Sequence, residues 1–380
     1  MHTYKLCFNW GAVNRCRILL TIFAVLGTGM TWAYPVPTIS IKNLVELADL
    51  IIVGKVERVQ QTGTGEVTFR DHTYKRLDFR AEITVDQTIK GDPAPSEFIL
   101  SYSTPSMDGV GNVAEGGPLA DTYRVVFLKK TPKGYAFASP YYAALPASST
   151  PCGSQWGIDL GKDAYHEVLQ RVLDVLCTPS GVEEKRRAVG TLNWGEDSSA
   201  TPFLKTAMSL PDVKADPVLR TSIISGLLKW KDLTVLSLAE DELFLPSGHT
   251  EGYLKSNLLL AISSLDPQIS VPLLTRALKL PEPEARVGAA RFLEYTASNT
   301  ALDGLLTALD DTDRDVQFAV MQSLGNLTNQ HQWRPQTTET NAVWFGCIQH
   351  WREFGMQRRT LTPSPAKLNN GYQGVAKPRT

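Results

Sequence analysis

Residues 283–327 read PEARVGAARFLEYTASNTALDGLLTALDDTDRDVQFAVMQSLGNL, and their spacing decides the fold of the larger part of the chain. Apolar residues recur every three to four positions in one run from Pro283 and another from Arg314, with a shorter run, Ala301 to Leu309, between them. That is the period of an amphipathic helix. The same pattern appears upstream in VEEKRRAVGTLNW (182–194), DPVLRTSIISGLLKW (216–230) and EGYLKSNLLLAISSL (251–265). Superposed, the five segments place their core anchors at Leu192, Leu228, Ile262, Leu293 and Leu324, at intervals of 36, 34, 31 and 31 residues. A second amphipathic run follows each of the first four segments, at 201–210, 233–245, 269–280 and 301–309. Asp and Pro punctuate the turns. Helix pairs recurring every ~20–50 residues predict an α-solenoid.

Each segment combines an acidic turn, a basic or polar residue, small residues and then a leucine. Lys185, Lys255 and Arg286 stand seven residues before their anchors; Arg220 stands eight before Leu228, and Gln317 replaces the base in the last segment. Over residues 181–330 this resembles HEAT-like repeats, in particular the short phycobilisome-lyase-type variety found in many secreted bacterial proteins. The resemblance implies an architecture and says almost nothing of activity. Some short HEAT-like families are associated with cofactor attachment, so an accessory or lyase-like factor is one implied role. Lys185, Arg220, Lys255 and Arg286 are candidate binding residues if they line one ridge facing an acidic partner. With Glu183, Glu184 and Glu284 close by, individual salt bridges are the other reading, and both stand at this point.

From about residue 38 to 148 the period is two. Asp49–Val59, Leu77–Ile89, Phe98–Tyr102, Tyr123–Leu128 and Tyr135–Ala138 read as about five strands after a short helix, Ile41–Leu47. Short turns imply an antiparallel sheet, and the length suits a small closed barrel. The order of ADLIIVGKV (48–56), ITVDQTIKGD (83–92) and YRVVFL (123–128) is faintly similar to the OB-like barrel of tissue inhibitors of metalloproteases and netrin modules. Their cysteine framework is absent here, so the resemblance implies a shape and no inhibitory residues. A Gly-rich stretch, 103–122, has no periodicity and reads as a surface loop; beside the basic residues it is the other candidate contact for a partner.

At the N-terminus, Lys5, Arg15 and Arg17 precede the apolar run Ile18–Leu26, with Thr31 and Ala33 placed as a cleavage site. Residues 1–33 are expected to be a signal peptide rather than an anchor. The mature chain would start at Tyr34, lie in an extracytoplasmic compartment and carry no membrane span. Cleavage removes Cys7 and Cys16, and of the remaining cysteines Cys152 and Cys177 are the candidate disulfide, with Cys347 a packing residue. The organisation is therefore 34–150 for the barrel and 160–356 for the solenoid. Trp344, Phe345, Ile348, Trp351 and Phe354 form a capping helix, followed by a disordered tail, 357–380.

Chemistry is hard to find. With 38 Lys+Arg against 39 Asp+Glu, a net charge of −1 argues against nucleic acid. No nucleophile elbow, P-loop, zincin or dinucleotide motif is present. The mature-chain histidines are scattered singly, and Asp311, Asp313 and Asp315 lack the Gly and Glu of a calcium loop, having Val316 and Gln322 instead. The expectation is a secreted, non-enzymatic protein with no cofactor and no metal, binding another protein of unknown identity. An accessory lyase-like factor and a polysaccharide-binding envelope protein are the alternatives.

Overall fold

In a computed structural model, the described residues are 39–69, 72–106, 119–139, 144–150, 152, 156, 162–194, 198–244, 252–336 and 340–361. The expected signal peptide, most of the Gly-rich stretch and nearly all of the tail lie outside them. The chain divides into two compact units at Phe203 and Leu204.

The first unit opens with α1 (Ile41–Leu47), whose N-terminus is capped by Ser40, the hydroxyl accepting the Asn43 N–H at 3.1 Å. Six strands follow: β1 (Leu50–Phe69), β2 (His72–Lys90), β3 (Glu97–Ser106), β4 (Thr122–Thr131), β5 (Gly134–Phe137) and β6 (Ala144–Pro146). They form one antiparallel sheet in the order β3-β2-β1-β4-β5, with β6 also on β4. The period-two reading found the cores of the strands but not their length. β1 and β2 continue as a long hairpin through residues whose polar composition hides the alternation. Part of the expected Gly-rich loop is strand: β3 runs to Ser106 and β4 starts at Thr122.

The expected barrel is not closed. β4 shares its outer edge between β5, along Leu128–Thr131, and β6, along Arg124–Val126. Four residues of β5 are thus left to face ten of β3. Aromatic rings meet across this seam where backbone bonds do not: Phe98 and Tyr135 at 5.9 Å, Tyr102 and Phe137 at 5.0 Å. One sheet face buries Leu50, Ile52, Val56, Ile83, Leu100, Val126 and Leu128 as a core. The residues between them, Ile51, Val53, Val125 and Phe127, are equally buried because α1 and α2 (Ala164–Cys177) pack on that end of the sheet. Burial on both faces is why Leu50–Val53 reads as an unbroken apolar run before alternation sets in. Gly54 sits where β1 and β2 approach closely, and a Cβ there would collide with the Thr84 carbonyl.

The sheet's unit also takes in α2 and α3 (Val182–Trp194), running to Phe203. Gln87 on β2 donates to Glu167 at 3.2 Å and accepts from Arg171 at 2.6 Å, fixing α2 to the sheet. Arg124 on β4, 2% exposed, forms a forked ion pair with Glu184 of α3, Nη2 to Oε1 at 3.0 Å.

The second unit is helical. After α4 (Thr201–Ala207), which carries the division, come α5 (Pro211–Ala215), α6 (Pro217–Lys229), α7 (Leu236–Phe244), α8 (Gly252–Ser263), α9 (Pro267–Ala277), α10 (Pro283–Tyr295), α11 (Ala301–Ala308), α12 (Arg314–Leu327) and α13 (Asn341–Leu361). The helices fall where the repeat places them, and the anchors Leu228, Ile262, Leu293 and Leu324 are fully buried. Asp216 and Asp266 cap α6 and α9 with proline at the first helical position. First helices stack in order, α6 on α8, α8 on α10 and α10 on α12, while α7, α9 and α11 pack beside them. α13 packs on α11 and α12, burying Trp344, Cys347, Ile348 and Trp351. Among the described residues, no helix is long and apolar enough to cross a membrane.

Candidate functional site

The four candidate cations share one address: Lys185, Arg220, Lys255 and Arg286 are each the fourth residue of a first helix, α3, α6, α8 and α10. The apparent slip at Arg220 disappears when residues are counted from the helix start. Lys185 lies in the first unit, 2% exposed. The other three lie in the second unit, and each reaches an acid of its own chain. Arg220 Nε donates to Glu242 at 2.6 Å and its Nη1 to the Lys214 carbonyl at 2.6 Å. Lys255 is 0% exposed and donates to Glu282 at 3.0 Å. Arg286 grips Asp311 with two bonds, 2.7 and 2.9 Å, while its Nη1 donates to the Leu280 and Pro281 carbonyls.

The three charges of the second unit thus bind successive turns together instead of projecting as one exposed ridge. Gln317, the fourth residue of α12, does the neutral equivalent at the end of the array: it donates to the Asp311 carbonyl at 2.8 Å and accepts from Trp344 of α13 at 3.1 Å. A neutral amide can serve both a carbonyl and an indole, as Gln317 does here. The acids Glu242, Glu282 and Asp311 follow their cations by 20–30 residues, which is why sequence neighbours such as Glu284 could not identify them.

Asp311 shows the electrostatic result. Burial pushes its carboxyl up, but the Arg286 hydrogen bonds, the Asp313 N–H and the Arg286 charge outweigh burial and hold it below the usual carboxylate range. Asp313 caps α12, accepting from the Asp315 and Val316 N–H groups at 2.9 and 3.1 Å. Asp311 is therefore engaged in pairing and Asp313 in capping. Of the histidines, His166 bonds its own cap residue Asp163 at 2.7 Å, and His350 stacks on Trp333 at 4.0 Å, burial lowering its pKa. Trp230 is half-buried at the end of α6; the Trp194 side chain lies outside the described residues.

A second cluster lies in the first unit. Cys152 and Cys177 are joined as a disulfide, Cα–Cα 6.3 Å, beside the fully buried Asp174. Oδ1 of Asp174 accepts from Trp156 Nε1 at 3.1 Å and from Gln170 Nε2 at 2.7 Å. Burial raises this carboxyl; the Gln170 and Trp156 bonds, the Cys152 backbone N–H and the Arg171 charge pull the other way without reversing it. Periodicity gave no sign of this group, because Asp174 sits among apolar residues of α2 and its neighbours come from outside the helix. The remaining described cysteine, Cys347, lies outside this bond and is buried.

A family model of HEAT repeats matches residues 247–331, the stretch from α8 to α12 that carries the Lys255 and Arg286 pairs. No curated protein matches the chain. The second unit is thus a helical region containing HEAT repeats, a class whose members commonly mediate protein–protein interaction.

Proposed function

We propose that the protein is an extracytoplasmic, non-enzymatic scaffold whose helical unit is an α-solenoid that binds a protein partner. The observation that carries this is the coincidence of the HEAT match with helix pairs stacked first helix on first helix and bound turn to turn by buried ion pairs. Such stacking gives each repeat only near neighbours and displays a long continuous surface. Because the cations are spent within the array, the reading places partner contacts on the second helices and α13, where Leu238, Phe345 and Met356 are exposed. The Cys152–Cys177 disulfide supports an oxidising compartment, since such bonds persist outside the reducing cytoplasm. Residues 1–33 supply the export signal in this reading.

The test is site-specific photo-crosslinking in the full-length chain expressed in its native host. A photoreactive residue at Leu238 or Phe345 is expected to trap one defined protein; the same residue at Ile99 on β3 is expected to trap none. Trapping at Ile99 alone would make the sheet the binding module and refute the reading. N-terminal sequencing of the same material is expected to begin at Tyr34.

A further inference from the structure

We propose that Cys152, Asp174 and Cys177 form a redox-gated site for a soft divalent cation of the zinc type, closed while the cysteines are joined and opened by their reduction. One ligand atom from each, two sulfurs and a carboxylate oxygen, lie within 4.8 Å of one another. Zinc held about 2.0–2.3 Å from tetrahedral ligands needs them roughly 3–4 Å apart. Once the sulfurs are released, rotation about the cysteine side-chain bonds covers the difference.

Asp174 is the independent observation. Its side chain is fully buried, yet Oδ1 takes both side-chain hydrogen bonds, from Trp156 and Gln170. Oδ2 is buried and makes no hydrogen bond among the described residues, although the nearby Cys152 backbone N–H also acts on the carboxylate. Leaving a buried carboxylate oxygen bare is costly, and an ion, a water or a redox role accounts for such an atom. A ligating carboxylate has one oxygen oriented by outer donors, as Trp156 and Gln170 orient Oδ1 here, and the other free to take the cation. The Arg171 charge acts on Asp174 and offsets part of the negative charge that two thiolates and a carboxylate would gather. Both cysteines are half-buried, so a reductant and an ion can reach them. Thiolate donors select soft cations over magnesium or calcium.

The chemistry balances with a dithiol reductant. It gives up two electrons and two protons and closes its own disulfide; the Cys152–Cys177 bond breaks and each sulfur takes one proton. The cation then displaces those two protons into solvent, forming two metal–thiolate bonds, with Asp174 Oδ2 as third ligand and water as fourth.

The test titrates Co²⁺, as a spectroscopic probe for zinc, into the full-length protein before and after reduction by a water-soluble phosphine, without oxygen. The expected result is one Co²⁺ per chain only after reduction, with thiolate-to-cobalt charge-transfer absorption that Zn²⁺ abolishes. Asp174→Asn is expected to weaken binding at least about tenfold, while Cys347→Ala leaves it unchanged. Equal binding by oxidised and reduced protein, no charge-transfer band, or undiminished affinity in Asp174→Asn would each overturn the proposal. Should that variant not fold, the comparison of reduced with oxidised wild type, and with Cys152→Ser, still decides it.

Discussion

Asp311→Asn is the sharpest single perturbation of the helical unit. The substitution keeps the shape of the side chain and removes the charge that Arg286 faces. Both partners are well buried, with side-chain exposures of 12% for Arg286 and 10% for Asp311. Breaking a buried pair by removing one partner costs about 3–5 kcal/mol, mostly because the other charge is stranded. Arg286 keeps its bonds to the Leu280 and Pro281 carbonyls, so the low end applies. For a unit of this size, about 3 kcal/mol corresponds to a fall in melting temperature of roughly 6–12 °C. The control is Asp310→Asn one residue away, whose pair with Arg352 is exposed at 71% and 52% and should be worth under about 1 kcal/mol. Acidity supplies a second signature. The folded-state pKa of Asp311 is depressed, so its stabilisation is full above the unfolded value and is lost as pH falls through the folded one. Wild type and variant should therefore converge in acid. The assay is thermal unfolding followed by helical circular dichroism at neutral and acid pH. Equal melting of the two variants, or a deficit that persists undiminished in acid, would refute the turn-to-turn role of the pair.

Trp351→Ala should cost about 3–5 kcal/mol, since the indole is fully buried in α13 and donates to the Trp333 carbonyl at 3.0 Å. Hydrogen exchange should then show α13 opening before α8 and α10. Gly54→Ala should lower the urea midpoint of the first unit by an amount equivalent to about 1–3 kcal/mol, because the new Cβ meets the Thr84 backbone carbonyl. An unchanged midpoint would mean the β1–β2 approach is looser than described. Asp174→Asn should stabilise the oxidised protein at neutral pH. Burial raises the folded pKa of Asp174 above its unfolded value, so ionisation counts against the fold, and that penalty lifts as pH falls through the raised value. The gain, read as a difference in urea midpoint, should therefore shrink on acidification; a loss of stability at neutral pH would contradict it.

The helices of the second unit were legible because their information is local. A period of 3.6 residues, Asp-Pro at the turns and a leucine anchor fix each helix without reference to its partners, as at Asp216-Pro217 and Asp266-Pro267. What needed long-range pairing was not. Sequence located Arg286 and Lys255 as a recurring element but not their acids, which come from the following turns. Five strand cores were visible, yet closure depended on how β4 divides its edge between β5 and β6, a property of register rather than composition. Asp174 was hidden for a related reason. An acid inside the apolar stripe of an amphipathic helix, three residues before Cys177 and four after Gln170, was a signal, but its meaning lies in Trp156 and Cys152 beyond the helix.

Hydrogen exchange of the full chain, alone and bound to the protein trapped by crosslinking, tests the scaffold reading most directly. The account predicts new protection along α7, α9, α11 and α13, with the sheet unchanged. Protection confined to β3 and β5 would contradict it and make the helical unit a spacer for a binding sheet.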